Sequence, residues 1–88
     1  MPATITVITQ DDASQVALAV GPRRGASLHN ASGATVYVAL DAEAALDAYT
    51  VALVDGAHYE VPWSFDGSVH VIWAAAGAGL LMVTEQGV

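Results

Sequence analysis

The chain has 88 residues, and its nine carboxylates against two arginines give a formal net charge of −7. A domain of this size buries only about 60–65% of the surface that its unfolded chain exposes, so it usually gains stability from disulfides, metals or association. Cysteine is absent, which excludes disulfides and thiolate metal sites. Because 55% of the residues are hydrophobic, we expect the surplus apolar surface to form a protein–protein interface.

The charge and the hydropathy pattern also bear on nucleic acid and membrane binding. A strongly acidic chain without lysine lacks the cationic surface that nucleic acid binding needs. The longest nearly apolar run, residues 71–83, is shorter than the roughly 20 residues that span a bilayer. The N-terminus has neither the basic region nor the apolar core of a signal peptide. We therefore expect a protein made in the cytoplasm that binds no nucleic acid and no membrane.

Short apolar stretches separated by turn residues predict about seven or eight strands. In chain order they are residues 4–9, 15–20, 26–32, 34–40, 49–54, 58–65, 68–75 and 79–85. Residues 41–48 have helical character, with Asp41 as a candidate N-cap for one short helical turn. Asp66-Gly67 predicts a tight hairpin, and Pro62 predicts an edge strand or a bulge. The pattern indicates an all-β fold, a small antiparallel β-sandwich or barrel.

The N-terminal residues 1–12 are predicted to form a strand or arm attached to a β-sandwich domain of residues 13–88. Ile5 and Val7 lie on one face of this strand, and Asp11-Asp12 forms a polar break suited to a hinge. An extended uncharged segment with free edge groups needs a partner strand. We therefore expect it to add to a sheet of a neighbouring subunit.

Several side chains are candidates for metal binding or catalysis. His58 and Glu60 share a strand face, and His70 lies across the predicted hairpin, so the three resemble a zinc ligand set. They lack a ligand-spacing motif, which favours exposed or interfacial strand residues instead. No serine lies in a Gly-x-Ser-x-Gly motif, and no phosphate-binding loop is present. The sequence thus predicts no catalytic residue, no metal site and no cofactor.

Two further features concern single side chains. Asn30-Ala31-Ser32 formally matches a glycosylation acceptor, but it is better interpreted as a turn. Most aromatic residues are expected in the core, where they contribute the largest buried area per residue. Tyr59 and Trp63, beside the predicted edge, are the aromatic candidates for contact with a partner.

A recurring order of short motifs runs from Arg24 to the last strand. It comprises Arg24, "SLHNASGATVYVAL", "LVDG", "DGSVHVIWAAAG" and "LLMVTE". In this order and spacing, about two thirds of the chain resembles a family of small bacteriophage virion proteins. The resemblance implies a non-enzymatic capsid decoration (cement) protein on the outer surface of the head. It also implies two partners: the major capsid protein, and further copies of this chain in a homotrimer. The alternative is a tail, neck or head-fibre module that binds a host surface or carbohydrate.

The two adjacent arginines are the only basic side chains besides the histidines. We expect Arg24, the position that matches the family, to be structural, through an ion pair or a contact with backbone carbonyls. Asp55 and Glu85 are its candidate partners. Arg23 is expected to be exposed, which adds it to the interface candidates Ile5, Val7, Tyr59 and Trp63.

Overall fold

The computed structural model describes residues 3–62 and 65–86. Within these ranges the chain is all-β and forms eight strands and no helix, and thus no helix that could cross a membrane. The strands are β1 (Ala3–Thr9), β2 (Gln15–Leu18), β3 (Gly25–Ala31), β4 (Val36–Leu40), β5 (Val51–Leu53), β6 (His58–Val61), β7 (Val69–Trp73) and β8 (Leu80–Gln86). The predicted fold class and the number of strands are confirmed.

The described strands form two antiparallel four-stranded sheets. Sheet A has the order β1-β8-β3-β6, and sheet B has the order β2-β7-β4-β5. Among strands that follow one another in the described ranges, only β4 and β5 pair directly. The hairpin predicted at Asp66-Gly67 is therefore wrong, because β6 lies in sheet A and β7 in sheet B. That connection crosses between the sheets. Pro62 follows β6, which is an edge strand as predicted.

The core lies between the inner faces of the two sheets, where alternate residues of each strand point inward. In β4, Val36 and Val38 are completely buried, and Val69, Val71 and Trp73 fill the matching positions of β7. Sheet A contributes Leu28, Leu81 and Val83. Each such side chain contributes roughly 1.5–3 kcal/mol relative to an exposed one, so this layer dominates the stability of the sandwich.

Residues 41–50 form a loop, so the short helical turn expected near residues 41–48 is wrong. Asp41 has a φ of 62°, a left-handed conformation that an N-cap residue does not adopt. Aspartate tolerates this conformation better than most residues, and here it turns the chain sharply out of β4. The loop closes on itself through an isolated bridge between Ala45 and Ala48.

The same loop folds back over the outer face of sheet B. The Ala44 amide donates to the Ser14 hydroxyl at 3.1 Å, which ties the loop to the segment before β2. The Tyr49 ring lies 4.9 Å from the Tyr37 ring, and Tyr37 projects from the outer face of β4. Ala39, on that outer face, is buried.

The N-terminal strand belongs to sheet A. β1 pairs with β8 along its whole length, from Ala3 opposite Gln86 to Thr9 opposite Leu80. The segment is therefore an edge strand of its own sandwich, and not an arm that lies outside a domain of residues 13–88. Its free side remains available, because β1 ends the sheet.

Arg23 closes one end of the sandwich. It has the structural role that was expected of Arg24. Its side chain is buried, and Nε donates to Glu85 Oε2 at 2.9 Å in an ion pair. Nη1 donates to the carbonyls of Phe65 and Gly67 at 2.7 and 3.0 Å, and Nη2 donates to the Ala19 carbonyl. The guanidinium thus joins the β2–β3 connection, the β6–β7 connection and β8.

The assignment of the two arginines is reversed relative to the sequence-based expectation. Arg24 is exposed, and its backbone amide donates to the Gln86 carbonyl at 2.9 Å as the β3–β8 ladder begins. Arg23 lies one residue earlier, in the connection that crosses over the end of the sandwich. Loop carbonyls and the Glu85 carboxylate converge there, and together they accept several hydrogen bonds from the planar guanidinium group.

Asn30 closes the opposite end of the sandwich. It is completely buried, and Nδ2 donates to the carbonyls of Ala34 and Leu53 at 2.7 and 2.8 Å. Its Oδ1 accepts from the Ser32 amide and hydroxyl, and the Ser32 hydroxyl also accepts from Trp73 Nε1 at 3.0 Å. The interpretation of this motif as a turn is wrong for its first two residues, because Asn30 and Ala31 are the last residues of β3 and the chain bends only from Ser32. Both amide hydrogens of Asn30 are already donated, which makes it unsuitable for glycosylation.

Candidate functional site

The free edges of the two sheets differ in how they are protected against pairing with another chain. β5 has three residues, β6 has four and is followed by Pro62, and β2 is interrupted by a register shift between Val16 and Leu18. Shortness, proline and bulges are common devices that block edge pairing. β1 has seven residues, a regular register and the uncharged sequence ATITVIT. Of the four edges described, β1 alone lacks such protection.

β1 is also exposed on both faces. Ile5 and Val7, on the outer face, are 69% and 50% exposed. Thr4 and Thr6, on the inner face, are exposed as well, and Ile8 is the β1 residue that packs against the core. The strand therefore overhangs the edge of sheet B. The backbone N–H and C=O groups on the free side of β1, and its exposed side chains, are therefore accessible to another chain.

The outer face of sheet A continues from β1 as rows of side chains from neighbouring strands. One row contains Ile5, Thr84, Ser27 and Glu60, and the next contains Val7, Met82, His29 and His58. We call the surface formed by these eight residues the open face. No described loop of the chain covers it: Ile5, Val7, His29, His58 and Glu60 are all exposed.

The open face carries little charge. Glu60 is the one carboxylate of the nine that projects from it. Glu85 lies on the inner side and pairs with Arg23, and the remaining seven lie in the connections between strands. A partner that approaches this surface therefore meets little of the acidic charge of the rest of the molecule.

A groove of about 280 Å³ lies on the open face near the end of β6. Its floor is low because the central strand β3 carries only Gly25 and Ser27 at the outward positions there. Longer side chains flank the floor on both sides. The lining residues are Gly25, Ala26, Ser27, His58, Glu60, Val61, Thr84 and Gln86.

The residues weighed as zinc ligands do not come together. His58 and Glu60 lie on sheet A, whereas His70 lies on β7 of sheet B with Nε2 3.0 Å from the Ser68 hydroxyl. His29, which the sequence did not single out, lies directly opposite His58. The described ranges contain no group of three or more histidine, aspartate or glutamate side chains that could hold a metal ion.

The predicted contact residues fall into different environments. Ile5 and Val7 are exposed on the open face, as an interface requires. Arg23 is 4% exposed, so its expected availability to a neighbouring subunit is wrong. Tyr59 lies opposite Leu28 on the inner face and is half-buried against the core. Trp63 lies outside the described residues.

Met82, His29 and Glu60 belong to the same surface as Ile5 and Val7, and the sequence did not indicate this. Each lies on a strand whose inward and outward side chains alternate regularly, but the strand order β1-β8-β3-β6 joins segments that are far apart in the chain.

No protein-family model, no curated protein and no solved structure matches the chain. The most exposed apolar surface of the two sheets lies on the open face, at the β1 edge.

Proposed function

We propose that this chain is a non-enzymatic structural protein of a phage virion, a capsid decoration protein that binds the outer surface of the head. The observation that best supports the proposal is the β1 edge, which is long, uncharged and exposed on both faces. An edge of this kind favours pairing with another chain unless something covers it. The motif resemblance to small virion proteins supplies the class of partner.

The mechanism of binding would be strand addition along β1. Backbone groups on the free side of β1 would pair with a partner strand, and pockets of the partner would take Ile5 and Val7. Apolar burial of this kind stabilises by about 25 cal/mol per Å². Repetition of the contact over a symmetric shell adds avidity even where a single contact is weak. The partners would be the major capsid protein and sister copies, arranged as a homotrimer.

The charge distribution supports this orientation of docking. A net charge of −7 keeps free copies apart in the host cytoplasm, where the protein would be made. The open face carries one carboxylate, so the chain would approach the shell with its least acidic side. The loop of residues 41–50, with Asp41, Glu43 and Asp47, would then face solvent on the finished particle.

The test is binding to heads that lack this protein. The double variant Ile5→Lys/Val7→Lys should lose at least tenfold in affinity, because it puts two charges where apolar surface would be buried. The matched control is Val20→Lys/Val54→Lys, which changes two exposed valines in connections away from the open face. This control should bind as the wild type does, and both variants should keep the far-UV circular dichroism of the wild type.

Two results would overturn the proposal. Equal binding by both double variants would remove β1 from the contact. Recovery of the native protein with tails or fibres, and not with heads, would favour a tail, neck or head-fibre module over decoration.

A further inference from the structure

We infer that the contact between sister copies is an antiparallel pair of two β1 strands around a two-fold axis at Thr6. Sheet A of each copy has four strands, so the pair would join two of these sheets into one sheet of eight strands. The inference rests on the proposed function for its setting on a shell, whereas its geometry follows from β1 alone. The free backbone groups of β1, its side chains and its lack of charge all suit a second copy of the same strand.

The ladder between β1 and β8 determines which backbone groups of β1 remain free. Gln10 and Gly79 extend the register of that ladder by one pair, and the Gln10 amide donates to the Gly79 carbonyl at 2.8 Å. Hydrogen-bonded and non-hydrogen-bonded pairs alternate along an antiparallel ladder, so the even-numbered residues of β1 bond to β8. The N–H and C=O groups of the odd-numbered residues therefore point to the free side of the strand. These residues are Ala3, Ile5, Val7 and Thr9.

The sequence of β1 is complementary to itself around Thr6. In an antiparallel pair centred there, Ile5 lies opposite Val7 of the second copy on the outer face, and the symmetry makes this contact twice. Every odd-numbered residue then faces an odd-numbered residue, so the free backbone groups of the two strands meet. Thr–Thr pairs and β-branched cross-strand pairs stabilise a sheet and help to fix its register. An axis at Val7 would instead place Asp11 of one copy opposite Ala3 of the other.

The charge distribution permits two copies to approach along β1. Each copy carries a net charge of −7, so two copies repel each other in most orientations. None of the nine carboxylates lies in β1, and Glu85 of the neighbouring strand is paired with Arg23. The pairing should therefore be weak between free copies in dilute solution and stronger at high salt. On a shell it would be favoured, because docking holds the copies close together.

Self-pairing would give the backbone and the side chains of β1 separate partners. The backbone edge would bind the sister copy, while Ile5 and Val7 of both copies would form one apolar strip in the middle of two joined open faces. That strip would lie against the shell. A two-fold pair closes with two copies, so β1 would join copies of neighbouring trimers, and the three-fold contact would use another surface.

The test uses single cysteines, because the chain has none of its own. At the two-fold axis, Thr6 of each copy lies opposite Thr6 of the other in a non-hydrogen-bonded pair, with Cα atoms about 4.5 Å apart. A disulfide can form at that distance. Thr4 is the matched control, because it is also exposed and lies on the same face of β1. The two copies of Thr4 would be offset by about four residues, or about 14 Å, which is too far for a disulfide.

We expect Thr6→Cys to form a disulfide dimer at least tenfold more readily than Thr4→Cys, in concentrated protein at high salt in a glutathione redox buffer. Adding Val7→Pro to Thr6→Cys should reduce the dimer to the level of Thr4→Cys. This proline removes an N–H on the free side of β1 and leaves the hydrogen bonds to β8 in place. Far-UV circular dichroism and urea unfolding should show that every variant is folded.

Two results would overturn the inference. Equal dimer formation by the two cysteine variants, or more by Thr4→Cys, would exclude an axis at Thr6. Dimer formation that Val7→Pro leaves unchanged would show that the backbone edge takes no part in the contact.

Head binding separates this inference from the proposed function. If Thr6→Cys shows no preference but Ile5→Lys/Val7→Lys loses head binding, self-pairing fails and decoration stands. If Thr6→Cys forms the expected dimer but the native protein is absent from heads, decoration fails and self-pairing stands.

Discussion

Sheet A and sheet B present different outer surfaces to solvent. Sheet B is partly covered by its own chain: Tyr49 of the loop 41–50 contacts Tyr37 on its outer face, although Val16 at one edge of that face stays exposed. Sheet A has no such cover among the described residues, and exposes Ile5 and Val7 on a strand that overhangs the core. One outer face is thus partly covered by the chain itself, whereas the other is exposed and is the face that we propose binds a partner. Substitutions should therefore affect folding on the closed parts and association on the open face.

The largest effect on stability is expected at Arg23, which closes one end of the sandwich. Arg23→Ala should lower the free energy of unfolding by about 2–4 kcal/mol, because three carbonyls and Glu85 lose their donor. The loss should be smaller than for a fully buried pair, because the Glu85 side chain is 37% exposed. Urea unfolding measures it. The neighbouring variant Arg24→Ala should change stability by less than about 0.5 kcal/mol. Equal losses would contradict the assignment.

The next largest effect is expected at Asn30, at the opposite end. Asn30→Ala should cost about 1–3 kcal/mol, because it leaves the buried carbonyl of Leu53 without its side-chain donor and removes the acceptor of the Ser32 hydroxyl. His29→Ala, one residue earlier and exposed on the open face, is the matched control and should be close to neutral. A stability loss at His29 as large as at Asn30 would show that the open face is part of the folding core.

A smaller effect is expected at the cover of sheet B. Tyr49→Ala should cost about 0.5–1.5 kcal/mol through loss of the contact with Tyr37. Leu46→Ala, in the same loop and similarly exposed, should cost less because no such ring contact is lost. Amide hydrogen exchange across residues 41–50 should become faster in the tyrosine variant only. Unchanged exchange would indicate that the loop is not held down by the ring pair.

The smallest effect on folding is expected at β1, where function is proposed. Ile5→Thr should change stability by less than about 0.5 kcal/mol, since the side chain is already mostly exposed. Val83→Thr, on the inner face of the neighbouring strand, should cost far more because it buries a hydroxyl in the core. A large stability loss at Ile5 would mean that β1 is closed by its own chain and needs no partner.

The elements of this fold were readable from local patterns, because each depends on the alternation of a few neighbouring residues. Val36 and Val38 alternate with Tyr37, and this alternation alone places the two valines on one face of β4 and the tyrosine on the other. Which strands pair with one another could not be predicted from the sequence, and the Asp66-Gly67 turn shows why. A tight turn sequence can connect two sheets as well as two paired strands, and the choice depends on contacts across the whole core.

In the candidate site, too, features that depend on neighbouring residues could be predicted, and features that depend on distant residues could not. Ile5 and Val7 were identified from their own segment, because a run of uncharged β-branched residues indicates an edge in need of a partner. The choice between the two arginines was wrong because it depends on distant groups. Glu85, the partner of Arg23, is 62 positions away in the chain. Glu60 and Ser27 likewise form one groove only because β3 and β6 pair.

Amide hydrogen exchange of the protein bound to phage heads, compared with the free protein, tests the central claim most directly. Docking through the open face predicts new protection concentrated in β1, Ala3–Thr9, while residues 41–50 exchange as they do in the free protein. Protection of residues 41–50 with β1 unchanged would contradict the account, because the partner would then cover the face that the chain already covers itself.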